Sequence, residues 1–426
     1  MNFTILLNSL SARAAVIASA LIAAAAGIFL AVSGFITGTL ADERYKPSQE
    51  ILQAAIGYFP NASRLHAQVA EAELAKSERD LQLAEFHARR AASLSPYDYR
   101  HRMLLAAAVE ARGDRTAAEH ALREAARLAP NYPDPHWRLA NLLLRQGKLG
   151  KSLEEFRGAA ALRPALLPAT FDLIWNAAGG HFAAMDAATP DMPEARVALA
   201  RFLLNRSRLA DAVNVFSRLD RESKLASSET PAFLNALVSG GHYETARKFW
   251  ADIVGGATQA AIVWNGSFES NVRKDFAQFD WTVARSDYAR IGVVATAARS
   301  GSRSLKIEFA GRDTTRLNGE VKQLVALNPG ASYRLECYVK TENLDTPEGP
   351  RLAVLNAASG AEVATSAPIA AGTSDWQLLQ VDFVAPADRT PDSSAVIITV
   401  QRQPKFSYDE PTKGAVWLDD FTINRR

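Results

Sequence analysis

Cysteine is nearly absent from this 426-residue chain. The single one, Cys337, excludes an internal disulfide and any multi-cysteine zinc site. Histidine is scarce and unevenly placed. His66, His87, His101, His120, His136, His181 and His242 are the full set, so the last third of the chain has none. A Ser-His-Asp or Cys-His catalyst is therefore excluded there. No H-E-x-x-H, G-x-S-x-G, Walker or dinucleotide-glycine signature occurs. Net charge is also missing: 48 Lys+Arg against 46 Asp+Glu leave +2. That removes the global basic field of a nucleic-acid binder, and no nucleic-acid partner is expected. What is present is apolar content, 48% of residues, enough for two or three packed domains at this length.

From Ala14 to Leu40 no residue is charged, a run of 27 residues. About 20 apolar residues cross a bilayer core, so this segment is long enough to span it with some tilt. We read residues 1–41 as a cytoplasmic stub and transmembrane anchor. A signal peptide cleaved near Thr39-Leu-Ala41 is the alternative, although its apolar core is usually ~7–15 residues. Either way, an N-terminus left in the cytoplasm exports the bulk of the chain. The expectation is a single-pass, periplasmic-type protein, or a secreted one after cleavage. Arg44 and Lys46 just beyond the run weaken the charge bias behind that orientation.

Residues 47–256 are rich in Ala, Leu and Arg with helical periodicity. Pro96, Pro130 and Pro164 are spaced by 34 residues, as are Ala91, Ala125 and Ala159, and Gly113 and Gly147. Ala212 and Ala246 keep the same interval, each followed four residues later by an aromatic, Phe216 and Trp250. This pattern resembles the tetratricopeptide repeat. Each unit would be two antiparallel helices, with small residues where they cross and glycine at the turn. The clearest units are 63–96, 97–130 and 131–164, with weaker ones over 193–226 and 227–256. Residues 165–192 break register and read as a degenerate pair. In the resembled fold the first helix of each pair lines a concave face. That implies a peptide groove at Arg100, Met103, Glu110, Trp137, Asn141 and Arg145, with Asn141 and Arg145 as donors to a protein partner.

From 262 to 426 the period changes to two, with turn signals between runs. Leu305, Ile307 and Phe309 alternate with polar residues, as do Tyr333 to Val339, Leu379 to Phe383 and Val396 to Val400; Val416 to Ile423 closes the series. Many short strands predict a β-sandwich. The ordered motifs are Asn265-Gly-Ser-Phe-Glu269, Trp281, Ser300-Gly-Ser-Arg-Ser-Leu305, Leu327-Asn-Pro-Gly330 with Tyr333, Tyr338-Val-Lys340, Asp375-Trp376 and Trp417-Leu-Asp-Asp-Phe421. Together they resemble the carbohydrate-binding jelly rolls attached to xylanases, within the galactose-binding-like superfamily.

That resemblance implies two sites. One is a structural Ca²⁺ held by Glu269 and Asp420, with Asp419 as competitor, since hard oxygens suit this ion. Strict alternation would put Trp417, Asp419, Phe421 and Ile423 on one face and Leu418 and Asp420 on the other. The second site is a glycan surface built on Tyr338, Tyr288, Phe406 and Tyr408, with Gln401 and Arg402 as hydrogen-bonding neighbours. Trp281, Trp376 and Trp417 match positions that pack the core. The resembled modules are non-catalytic, so no enzyme is expected. The resulting expectation is a multidomain, membrane-anchored scaffold, all-α repeat then all-β jelly roll, in bacterial envelope or exopolysaccharide assembly. Two alternatives stand beside it: a polysaccharide-processing enzyme or its accessory subunit, and a protein–protein scaffold whose β domain is blind to sugar.

Overall fold

The structure, a computed structural model, describes residues 10–40, 47–255, 261–387, 394–406 and 410–426. It divides into two compact units, Met1–Pro190 and Asp191–Arg426. Helices give way to strands later than that division, between Val254 and Thr282. The last helices therefore belong to the same unit as the β-sandwich.

The first unit opens with α1 (Leu10–Leu40), a uniformly apolar helix. Its stretch Leu10–Ile36 has mean hydropathy 2.5, and none of it is buried. It is long and apolar enough to cross a membrane or to be a signal sequence. Helix α2 (Gln49–Tyr58) follows and lays Leu52 and Ala55 against Leu65 and Val69 of α3 (Ser63–Ala75). Then come α4 (Leu81–Leu94), α5 (Tyr99–Ala111), α6 (Arg115–Leu128), α7 (Pro133–Arg145) and α8 (Leu149–Leu162). The pairs α3/α4, α5/α6 and α7/α8 are the three clear repeats of a tetratricopeptide-type array. Ala84, Ala118, Ser152, Ala91, Ala125 and Ala159 are all fully buried, as helices crossing this closely require. Ser152 satisfies its buried hydroxyl by donating to the Ala140 carbonyl at 2.8 Å. Gly113 and Gly147 sit at φ +94° and +74°, a left-handed turn that side chains resist. Asp80, Asp98 and Asp114 cap α4, α5 and α6 through backbone N–H groups. Residues 165–192 form a shortened pair, α9 (Leu167–Ala177) and α10 (Phe182–Ala188), after one 3₁₀ turn.

The second unit begins with α11 (Pro193–Asn205) and α12 (Leu209–Ser217), then α13 (Arg221–Ala226), α14 (Thr230–Ser239) and α15 (Tyr243–Val254). Ten strands follow: β1 (Thr282–Val283), β2 (Ala289–Val294), β3 (Ser304–Ala310), β4 (Leu317–Leu327), β5 (Ser332–Asp345), β6 (Arg351–Asn356), β7 (Glu362–Thr365), β8 (Gly372–Val384), β9 (Ser394–Arg402) and β10 (Lys413–Arg425). They make two five-stranded antiparallel sheets, β1-β4-β9-β6-β7 and β2-β3-β10-β5-β8, a jelly-roll sandwich. Leu305, Ile307, Leu335, Cys337, Val325, Ile398 and Val354 fill the space between them. Burial pushes the Cys337 thiol pKa far up, so it is an inert core residue.

Strict alternation fails in β10. A bulge between Asp419 and Thr422, with Asp420 at φ +51°, shifts the parity. Val416 and Leu418 point into the core before it, and Phe421 and Ile423 after it. Trp417 and Asp419 are thus on the other face from Phe421 and Ile423, not the same one as the alternation implied. Trp417 is buried under the Lys306 ammonium, 5.1 Å from its ring centre, rather than between the sheets. Trp376 is only half-buried on edge strand β8. Of the three tryptophans, Trp281 alone joins the inter-sheet core.

The helical end of this unit is welded to the sandwich. Trp250 of α15 is 2% exposed. Its indole N–H donates to the Phe276 carbonyl at 2.6 Å, and its ring stands edge-on to Trp264 at 4.9 Å. Arg247 donates to the Ala261 carbonyl at 3.0 Å.

Candidate binding sites

Three places hold the side chains singled out in the sequence. The first is a concave recess of about 250 Å³ between α5 and α7. Trp137, Asn141 and Arg145 lie four residues apart on α7 and so share one helix face, opposite Met103 and Glu110 on α5. Trp137 is half-buried and held edge-on to Phe156 at 5.1 Å. The Asn141 side chain donates to its own helix, at the Trp137 carbonyl, 2.8 Å away. Arg145 reaches across to Glu110, with Nη2 at 2.6 Å and Nε at 3.2 Å from Oε1, tying the two helices together. Arg138 also lines the recess and is exposed, with no ion-pair partner among the described residues. It is the recess's uncompensated positive charge. Arg100 is not there. It sits in the first turn of α5 and makes a two-point pair with the cap Asp98, at 3.0 and 2.8 Å. That pair holds the Asp98 carboxyl below the usual range.

The second place is the loop Arg299 to Arg303, where acids from both ends of the β domain meet. Glu269 Oε1 accepts from the Ser302 and Arg303 N–H groups, both at 2.9 Å, and Oε2 accepts from the Ser302 hydroxyl. These bonds, led by the Ser302 N–H, hold its carboxyl below the ordinary value. Asp420 accepts from the Ser300 hydroxyl at 2.5 Å and from the Arg299 guanidinium at 2.8 Å. Asp419 is fully buried and accepts from the Arg299 and Asp420 N–H groups, both at 2.8 Å. Burial raises its carboxyl pKa despite those bonds. The carboxylate and hydroxyl oxygens of Glu269, Asp420, Ser300 and Ser302 are hard donors of the kind Ca²⁺ takes. The cation that meets Asp420 here is Arg299. Among the described residues no group of three or more His, Cys, Asp or Glu is placed to hold a metal.

The third set, the sugar candidates, does not form one site. Tyr338 lies on β5 and Tyr288 directly before β2, both in one sheet, while Gln401 and Arg402 end β9 in the other. Tyr338 does turn away from Cys337, but the Arg299 guanidinium covers its ring at 3.5 Å. Arg402 is 1% exposed and donates to the Glu348 and Thr315 carbonyls at 3.2 and 2.6 Å, so it pins loops from within. Phe406 is 65% exposed. Tyr408 lies outside the described residues. Gln401 donates to Asn318 at 3.3 Å and lines a polar recess of about 260 Å³ with Glu348, Arg351, Glu362, Gln403 and Lys405. The sequence pointed to Gln401 but not to Arg351, which cross-strand pairing sets opposite it, or to Glu362, which lines the same recess.

No family model matches the chain, and no curated protein matches it either. Solved structures similar to parts of it include a crystal structure of MamA, with 14% identity over 45% of this chain and 88% of that one at TM-score 0.28. A carbohydrate-binding module of family 4 matches with 20% identity over 38% of this chain and 99% of that one at TM-score 0.28. A Clostridium thermocellum xylanase 10B fragment, CBM22-1 with its GH10 module in complex with xylohexaose, matches with 18% identity over 38% of this chain and 28% of that one at TM-score 0.25. The architecture of this chain stands on its own helix pairs and sheets.

Proposed function

We propose that this chain is a membrane-tethered, non-catalytic adaptor. The α5–α7 recess takes an extended segment of a protein partner, and the β domain takes a glycan at the Gln401–Arg351 recess. The observation that supports it most is the recess itself. Its apolar floor of Met103 and Trp137 is flanked by Asn141, by the Glu110–Arg145 tie and by the unpaired Arg138. An apolar floor with a few convergent polar groups and spare positive charge suits a peptide carrying a carboxylate. The test is capture of the partner by the full chain in detergent. Arg138→Glu with Asn141→Ala abolishes it; capture that survives both changes refutes the recess.

The setting is envelope or exopolysaccharide assembly, with α1 retained as anchor and the rest outside the cytoplasm. Protease added to intact cells then cleaves the repeats, and protection of the repeats places them in the cytoplasm instead. Calcium completes the proposal as a structural ion. Glu269 and Asp420 would hold it, Arg299 swinging away, and its charge would fasten the 299–303 loop to the closing strand.

A further inference from the structure

A cleft of about 550 Å³ in the second unit lies between α14 and the outer face of the β1-β4-β9 part of its sheet. Its floor is apolar: Leu324 and Ile397 are directly opposed on β4 and β9. Phe276 forms one wall at φ +55°, a conformation that a bulky side chain resists. The Trp250 indole bond to its carbonyl, at 2.6 Å, fixes it there. Beside it, Gln278 donates to Asn235 of α14 at 3.0 Å, and its own Oε1 is buried without a partner among the described residues. A buried acceptor left open awaits a donor. Lys322 and Lys274 stand exposed at the rim, neither in an ion pair nor hydrogen-bonded among the described residues. Asp280 also lines the cleft, but it is 1% exposed and its carboxylate accepts from the Trp281 and Arg273 N–H groups at 2.7 and 2.9 Å. At the exposed rim two ammonium groups thus face one carboxylate, that of Asp275, while the carboxylate of Asp280 is buried.

We propose that this cleft binds an acidic sugar, a hexuronate unit of a polysaccharide, an inference that rests on the glycan reading above. The sugar's C–H face lies on Phe276 and the Leu324–Ile397 floor. A hydroxyl donates to Gln278 Oε1, and the carboxylate meets Lys322 and Lys274. The β domain without α14 would lack this site, because α14 supplies a wall of it.

The test is titration of the full chain, in detergent, with tetragalacturonate and a hyaluronan tetrasaccharide as acidic probes and cellotetraose as the neutral one. The acidic probes bind, weaken with added salt, and lose at least tenfold in affinity to Lys274→Gln with Lys322→Gln. Both lysines are exposed, so an unchanged circular dichroism spectrum confirms that this variant folds. Acidic-probe binding that ignores the double variant, or falls only with Gln401→Ala, overturns the cleft and leaves the glycan reading in place. Cellotetraose binding that equals that of the acidic probes overturns the acidic preference alone. No binding of any probe overturns both readings.

Discussion

Replacing Trp250 by alanine tests whether the last helical pair and the β-sandwich open as one body. The side chain is 2% exposed and its ring touches those of Trp264 and Phe279, at 4.9 and 5.8 Å. The void that adjoins it is small, about 20 Å³, as expected of a closely packed contact. Truncating a buried tryptophan to alanine costs ~3–5 kcal/mol. The lost N–H···O bond to Phe276 accounts for about 1 kcal/mol of this. With about 4 kcal/mol removed and tenfold per 1.4 kcal/mol, local opening becomes roughly a thousandfold more frequent. Amide hydrogen exchange on the full chain reads this directly. Protection across α15 and the middle of β4 is expected to fall by about three decades, with α5–α8 unchanged as an internal reference. Trp250→Phe keeps most of the packing and loses the hydrogen bond, so it costs about one decade. A change under tenfold in α15 for the alanine variant would mean that these contacts do not hold the unit together.

Gly113→Ala meets no atom within 4 Å, so its cost is the φ of +94° alone, about 1–2 kcal/mol, read as a lower urea midpoint for the first unit. Gly301→Ala adds a steric term, because its Cβ would fall 2.5 Å from the Glu269 Cδ; its loss of stability, read from the urea transition of the second unit, exceeds that of Gly113→Ala. Stability is expected to fall as pH drops below about 6.5. Burial first, and His66 second, lowers the His87 pKa, and burial lowers that of His101. The folded state therefore binds fewer protons than the unfolded one in that window, and stability rises with pH. His87→Gln flattens the melting-temperature profile between pH 7.5 and 5.5; an equal slope in the variant removes His87 from the account. If the proposed calcium site is real, Ca²⁺ at a hundred times its Kd adds ~2.7 kcal/mol, which chelation removes. An unmoved melting transition of the β domain after chelation excludes the ion.

The helical half was legible because its signals are local and steric. A residue at a close helix crossing must be small wherever it occurs, so Ala84, Ala118 and Ser152 announce the repeat without reference to the rest of the chain. The α5–α7 recess was legible for the same reason: Trp137, Asn141 and Arg145 share a helix face by spacing alone. Arg138 looked like any exposed arginine; its role as a lone charge depends on what faces it across the groove. In the β half, strands with clean alternation, β3, β5, β8 and β9, could be read. β4 could not, because polar Gln323 points inward with Val321 and Val325 while apolar Leu324 points outward, so hydropathy does not alternate along it.

Sugar-site reasoning failed where alternation carries no information. Period two states which residues of one strand share a face, but not which sheet the strand joins. Tyr338 and Gln401 were therefore grouped although β5 and β9 lie in opposite sheets. Gln401 and Arg402 were grouped although neighbours on a strand point to opposite faces, so one of the two had to be interior. Arg402 is that one, and its burial is what leaves Gln401 as the outward member of the pair. The same parity rule leads to the α14 cleft: Lys322 pairs with Thr399 and Leu324 with Ile397, so all four face outward from the sandwich. Two adjacent apolar residues on an outward face make a small apolar patch. Here α14 and Phe276 cover them only in part and leave space rimmed by lysine. If that space served packing alone, filling it should stabilise the protein at no functional cost. Leu324→Phe is therefore expected to raise the melting temperature and abolish acidic-sugar binding together, whereas a stabilised variant that binds tetragalacturonate unchanged would place the sugar elsewhere.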